Sequence, residues 1–340
     1  MSHDALTRGE EDTAIIDRNQ NWRDQDAERE SVCEREKKMS VELRIGGVPE
    51  HFNAPWHRAL EKLNADQNDS RVNVTWSRQD GGTGAMSRAL AANELDVCMM
   101  LTEGAIAHIV SAKSGVRIWG MYVVSPLTWG IHTGARNKDR LSCVEDAEGL
   151  VYAVSRMGSG SHLMAFVDAK QRGWAAPAPT HFKVVGSLEG SRAALADGSA
   201  DIWLWEKFTT KHLVDSGEYI RLGTVDTPWP CFAICCSPAA QADPAKMAAL
   251  ERVIGGVREE ALAFKANEGD SSIAHLVDEY AMLDEDAREW LASVTWAATA
   301  EVRADVLKNV TSTLAEVGVI KEEDVPENSE LVTSTCSIVV

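Results

Sequence analysis

The chain contains no run of about 18 apolar residues, so no transmembrane helix is expected. Met1 to Glu30 carries scattered charges and no sustained apolar stretch, so it does not read as a secretory leader. No CxxC pair occurs, which argues against a zinc site. Neither Gly-rich turn is followed by Gly-Lys-Ser/Thr, and no GxGxxG stands in dinucleotide spacing, so nucleotide binding is not expected. Gly158-Ser-Gly-Ser161 is not the Gly-x-Ser-x-Gly nucleophile elbow. The end, Cys336 to Val340, is one residue too long for a prenylation box. Basic side chains are scarce, 34 against 52 acidic ones, giving a net charge of −18. Neither nucleic acid nor an anionic membrane is expected as a partner. Tyr and Phe are few, 4 and 6, against 11 Trp, the residue suited to an apolar wall with one donor.

What is present is ordinary for a globular protein: 44% hydrophobic and 25% charged residues over 340 positions, enough for two domains or one large one. The seven cysteines are Cys33, Cys98, Cys143, Cys231, Cys235, Cys236 and Cys336. Their odd number, the adjacent pair and their apolar settings suit reduced core thiols and a cytoplasmic location.

Residues 1–39 hold 11 acidic and 7 basic side chains and few core formers. They are expected to be a disordered acidic extension. Residues 321–340 are expected to be a flexible tail.

Between these ends strand and helix patterns alternate. Short β-rich runs lie at Leu43–Val48, Val72–Trp76, Leu95–Leu101, Val116–Val124, Leu150–Ser155, Phe182–Val185, Ala200–Trp205, Tyr219–Val225 and Cys231–Cys236. Helical stretches separate most of them, and from Pro244 onward the pattern is helical. This is an α/β protein with mostly parallel sheets. Ala89 to Met100 and Ala194 to Trp205 share one form: a helix end, a turn, an Asp (Asp96, Asp201) and a buried strand running into a Glu (Glu103, Glu206). Such likeness fits either two similar lobes or the common look of αβ connections.

Ligands of parallel α/β sheets bind beyond the strands' carboxyl ends. The loops there are Pro49 to Phe52, Asp80 to Ala85, Thr102-Glu103, Arg156 to His162, Ser187 to Glu189 and Trp205 to Lys207. Gly81-Gly-Thr-Gly84 and Gly158-Ser-Gly-Ser-His162 each open a helix, where free N–H groups favour an acceptor; a capped turn is the alternative. His51 and His162 read as acid–base groups or as plain hydrogen-bonding residues. Glu103 and Glu206 read as a carboxylate pair across a cleft or as helix caps. No catalytic set, metal or cofactor is expected.

Several ordered segments resemble the type 2 periplasmic-binding-protein superfamily. They are Arg44 to Phe52, Gly81 to Met86, Leu101 to Gly104, Ser125 to Ile131, Gly158 to Met164, Trp205 to Lys211 and Pro228 to Cys231. The similarity runs from about Val41 to Ile320. It is strongest to the nitrate, sulfonate and thiamine-pyrimidine-precursor branch, and within it to a soluble fungal and bacterial subgroup of unassigned ligand. The resemblance implies two Rossmann-like lobes joined by a two-strand hinge that close on a small molecule. Lobe one would hold 41–125 plus 236–320, and lobe two 126–235. The crossings would lie near Ser125 to Thr133 and Thr227 to Cys235. Carried over by position, the cleft would be lined by His51, Phe52, Gly82, Thr83, Gly84, Glu103, Ser125, Trp129, Ser159, Ser161, His162, Glu206 and Trp229. Trp129 and Trp229 would either stack on ligand or pack the lobes together.

The expected function is non-catalytic binding of a small anionic or heterocyclic molecule with hinge closure. Two alternatives remain. Cys231-Phe-Ala-Ile-Cys-Cys236 is similar in composition, not in order, to the cysteine-rich motif of the related thiamine-pyrimidine synthases, which implies an enzyme. The acidic extension points instead to a regulatory or scaffold protein with a protein partner that the sequence does not identify.

Overall fold

A computed structural model describes residues 40–65, 71–266 and 271–340. The expected acidic extension, 1–39, lies outside the described residues.

Ten strands form the two main sheets: β1 (Val41–Gly47), β2 (Val72–Arg78), β3 (Val97–Leu101), β4 (Arg117–Val123), β5 (Thr128–Gly134), β6 (Tyr152–Val154), β7 (Phe182–Val184), β8 (Ile202–Glu206), β9 (Tyr219–Asp226) and β10 (Phe232–Cys236). The helices are α1 (Ala54–Ala65), α2 (Gly82–Ala91), α3 (Thr102–Ala112), α4 (Gly160–Arg172), α5 (Leu188–Asp197), α6 (Lys211–Asp215), α7 (Pro238–Gln241), α8 (Pro244–Ala266), α9 (Ser271–Tyr280), α10 (Asp284–Ser293), α11 (Ala304–Glu316) and α12 (Asn328–Leu331).

The sheets have the same plan. One has the order β2-β1-β3-β10-β4 and the other β7-β6-β8-β5-β9. In each, four strands share one direction and the fourth strand in the order opposes them. The opposing strand is always the one that has just crossed from the other lobe: β4 leads into β5, and β9 into β10.

The echo between the halves extends to single atoms. The Asp96 carboxylate accepts from the Arg44 amide at 2.9 Å, and Asp201 accepts from the Val151 amide at 3.3 Å. Each Asp amide returns a bond to the same partner's carbonyl at 2.8 Å. Both aspartates thus tie the start of a central strand to its neighbour.

The strands form where the sequence places β-formers that bury both faces. β3 (Val-Cys-Met-Met-Leu) and β10 (Phe-Ala-Ile-Cys-Cys) are buried almost throughout, as strands covered by helices on both sides should be. Helix α4 starts at an N-cap, Ser159, whose hydroxyl accepts from the His162 amide at 3.4 Å, and stops at Gly173 with φ +73°. Helix α2 starts three residues earlier than the apolar pattern from Ala85 suggests, because Gly82 turns the chain at φ +60°.

The C-terminal residues correct one expectation. Residues 321–340 do not trail as a flexible tail. Leu331 is fully buried, Val332 bridges to Ile118, and β11 (Val302–Arg303) pairs with β12 (Ile338–Val339). The run Leu331-Val-Thr333 supplies apolar contacts that the preceding acidic residues mask in composition.

Candidate functional site

The crossing segments, 124–127 and 227–231, run side by side. The Thr227 amide donates to Leu127 O at 3.0 Å, and the Cys231 amide to Ser125 O at 3.2 Å. Above them the carboxyl ends of both sheets face a cavity of ≈ 400 Å³, a size suited to a small organic molecule. Residues of both lobes line it, including Glu50, Gly82, Thr83 and Phe232 on one side and Trp129, Arg156, Ser159, Gly160 and Glu206 on the other.

Three helix starts meet this cavity: α2 at Gly82 and Thr83, α4 at Gly160 and Ser161, and α5 at Ser187 and Leu188. The first-turn amides of a helix have no partner within it and carry the positive end of its dipole. Arg156 adds a full charge. It comes from lobe two but lies against Gly84 of α2, where an added Cβ would stand 2.8 Å from its guanidinium carbon. Burial, and Arg88 beside it, hold its pKa below the usual arginine range. No carboxylate among the described residues pairs with it.

Trp129 forms an apolar wall. Its ring rests on Gly160, where a Cβ would meet the ring at 2.8 Å, and it meets the Trp205 ring edge-on at a centroid distance of 6.4 Å. Its Nε1 is buried and has no hydrogen-bond partner. Trp205 in turn stacks on Trp203 at 5.0 Å and 11°.

Of the thirteen residues expected in the cleft, Gly82, Thr83, Trp129, Ser159, Ser161 and Glu206 line this cavity. The others stand elsewhere. Gly84 lies behind Arg156, giving its guanidinium room. His51 and Phe52 are buried beside Trp290, at ring distances of 4.4 Å and 5.3 Å. The Ser125 hydroxyl accepts from the Thr295 amide at 3.0 Å, tying down the crossing. The His162 ring packs on Phe182 at 4.5 Å, and its Nδ1 accepts from the Gly158 amide. Trp229 is sealed by a bond from its Nε1 to Glu103 Oε2 at 2.9 Å.

That bond also corrects the expected Glu103–Glu206 pair. Glu103 Oε2 is held by Trp229, with its Oε1 buried and unpartnered among the described residues, whereas Glu206 folds onto its own loop and caps the amides of Phe208 and Thr209 at 3.0 and 2.6 Å. The acid that faces Glu206 is Glu50, at the end of β1. Arg156 and Glu50 fall within loops marked in the sequence, but nothing along the chain distinguishes them from their neighbours. Only the approach of α2 to the Arg156 loop does so.

Burial and the nearby Glu206 push Glu50 up to about 8, and burial pushes Glu103 up to about 7. An unfolded glutamate ionises near 4.5, so across this range the folded state holds protons that the unfolded state has lost. Six histidines held low oppose this until unfolded imidazole has lost its proton, about a unit above 6.5. From about pH 7.5 to about 8.5 the glutamates, Glu50 above all, therefore prevail, and stability falls as pH rises. Thermal melts across that window should decline, and Glu50→Gln with Glu103→Gln should flatten the decline. A midpoint that rises toward pH 8 contradicts these assignments.

The run Cys231 to Cys236 gives the enzyme alternative no nucleophile. All three of its thiols are fully buried in and beside β10, and burial raises each well above the usual thiol range.

Residues 129–225 match the family model described as Ca3427-like PBP. No curated protein matches the chain. Among solved structures, the Candida albicans CA3427 product, described as defining a new family with the generic periplasmic binding protein fold, is similar. It shows 24% identity over 88% of this chain and 98% of its own, with a TM-score of 0.74. The alkanesulfonate-binding protein SsuA of Xanthomonas axonopodis pv. citri, bound to MOPS, shows 18% identity over 88% and 98%, with a TM-score of 0.66. The aliphatic sulphonate binding protein SsuA of Escherichia coli shows 17% identity over 86% and 97%, with a TM-score of 0.65. The chain has the periplasmic-binding-protein fold: two α/β lobes, each with a mixed five-stranded sheet.

Proposed function

We propose that this protein binds a small organic oxyanion of the sulfonate type between its lobes and does not transform it. One observation carries the reading. Arg156 reaches across the cleft to the positive end of α2, next to Arg88, with no carboxylate among the described residues to pair it. A cation placed on a helix N-terminus is repelled by it, and an anion between the two reverses that sign. Trp129 and Trp205 offer an apolar wall for the carbon part of the ligand. Two structural neighbours are sulfonate-binding proteins by description, which supports the same class.

The mechanism is hinge closure. Arg156 and α4 belong to one lobe and α2 to the other, so only the closed form contacts the oxyanion from both sides. Ion pairs from Lys211 to Asp286 at 3.6 Å and from Lys170 to Glu316 at 2.5 Å join the lobes at the surface and add little once salt screens them. The six described cysteines are free thiols, which suits the cytosolic location we assign.

A thermal-shift series with ethanesulfonate, nitrate and a pyrimidine tests the reading. A true ligand at about 100 times its Kd adds roughly 2.7 kcal/mol. For a chain of this size that raises the midpoint by about 5 °C. Ethanesulfonate should give the shift and the uncharged pyrimidine should not. A shift with the pyrimidine alone rejects the oxyanion.

A further inference from the structure

The wall of the cleft beside the oxyanion position is acidic, and it comes from both lobes. Glu50 stands at the end of β1 in lobe one, Glu206 at the end of β8 in lobe two, and both line the cavity. Glu206 is almost fully buried. Its Oε2 accepts from the Phe208 and Thr209 amides and from Thr209 Oγ1, the last at 2.7 Å. Its Oε1 accepts no hydrogen bond from any described residue. The nearest basic group there is His51, whose Nε2 lies 3.9 Å away, is buried, and has no hydrogen-bond partner of its own. The Glu50 carboxyl makes no hydrogen bond or ion pair among the described residues, although it borders this cavity and a neighbouring hollow. Two acids from opposite lobes thus converge with open acceptor positions, and among the described residues no Lys or Arg is ion-paired with either.

We infer that the ligand carries, besides its oxyanion, a cationic amine that seats between Glu50 and Glu206. The inference rests on the oxyanion reading above and narrows it to a zwitterion.

The charges around the two acids agree with this. Facing Glu206 are Glu50, His51 and Arg221. Burial lowers His51, so the ring is neutral at pH 7. Arg221 acts on Glu206 from β9 without ion-pairing with it: its Nη2 donates to the Lys207 carbonyl at 2.6 Å and its buried Nε has no partner among the described residues, and its charge does not register at Glu50. Cys231 lies close to both acids as a neutral buried thiol. Arg156 and Asp80 share the cavity, and Asp80 is paired with Arg78 at 2.8 Å. In the neighbouring hollow Lys211 is paired with Asp215 and Asp286, and His212 and Tyr280 complete the titratable groups. Burial, with Glu206 facing it, makes Glu50 hold its proton to about 8. An ammonium group seated there removes the repulsion. The Glu50 proton then leaves to solvent, and the ligand's amine remains protonated. Amine binding and proton release are therefore linked.

Titration calorimetry on the full chain at pH 7 compares 2-aminoethanesulfonate with ethanesulfonate in Tris and in bis-Tris, neither an oxyanion, each at several concentrations extrapolated to zero so that the buffers' own cationic amines do not compete for the acids. The amino compound should bind at least tenfold more tightly. Its enthalpy should differ between the buffers in the sense of a released proton, and its affinity should rise from pH 6 to pH 8. Glu50→Gln should bring the two affinities within threefold of each other and abolish the buffer dependence. The wild-type comparison decides the matter even if that variant folds poorly. Equal affinities, or tighter binding of the amine without proton release, overturn the inference while the oxyanion reading stands. If neither compound binds, the oxyanion reading fails and the inference fails with it.

Discussion

Replacing Asp96 by alanine is expected to destabilise the fold by about 3–5 kcal/mol, since it breaks a buried charge network and leaves its partners unmatched. Asp96 is fully buried, and its carboxylate accepts from Arg44 at the backbone amide, Nε and Nη2, each at 2.9 Å, and from Lys246 Nζ at 2.8 Å. One side chain thereby joins β1, the start of β3 and α8. Burial alone would raise its pKa, but the bonds from Arg44 and Lys246 outweigh that and hold it below the usual carboxylate range. Its contribution is present above pH 3.8 and is lost as pH falls through the lowered folded value. The Arg44 side chain is 41% exposed, so water recovers part of the loss and the effect belongs near the low end. Asp201 holds the equivalent place in lobe two but is half-buried, and its alanine variant should cost only about 1 kcal/mol. Urea melts measure both. A cost at Asp96 no larger than at Asp201 overturns the argument from burial.

The second large effect is on binding. Arg156→Ala should weaken ethanesulfonate binding by roughly 10- to 100-fold, the range for a charge-assisted hydrogen bond in a half-dry site. The free protein should not suffer, because the guanidinium faces Arg88 and a helix N-terminus rather than a partner. The midpoint of the free protein should stay level or rise slightly, the pattern of a residue kept for function at some cost in stability. Gly160→Leu should weaken binding by another route, since its Cβ lands 2.8 Å from the Trp129 ring and drives that ring into the cavity. Gly82 has open space around it, and a side chain there meets only the strain of φ +60°. If Arg156→Ala and Gly160→Leu both leave affinity unchanged, the ligand does not occupy this cleft.

Much of the fold is legible in the sequence because its strands are short apolar runs and helices α2, α4, α5 and α7 start beside a Gly or a Ser cap. The expected run Phe182–Val185 and the observed β7 differ by one residue, and the Asp96–Asp201 echo marks two real lobes. The site is less legible. Which face of a loop meets the other lobe depends on tertiary approach, so the choice of His51 over its neighbour Glu50 could not be made along the chain. His51 turns inward because Trp290, distant in sequence, packs against it at 4.4 Å. Glu103 sits in the first turn of α3 just past β3 and Glu206 ends the equivalent β8, yet Trp229 reaches only one of them. The closing residues hid their contribution in the same way. An acidic stretch reads as a frayed end until Leu331 is seen to fill a gap beside β4.

The strand that crosses back has a consequence for how the polypeptide is made. β10 lies between β3 and β4, pairing Phe232 with both Leu101 and Val123. A ribosome releases β3 and β4 long before β10 exists, so those two strands wait with unpaired edges while all of β5 to β9 emerges. The second lobe, contiguous from β5 to β9, has every strand it needs at that moment. It can fold first and deliver β10 into the gap, because domains fold as units and this is the first lobe whose strands are all present. Pairing over such a long loop is slow. A nascent chain halted before Phe232 therefore holds one complete sheet and one aggregation-exposed half, the point in this protein's life when it most needs a chaperone.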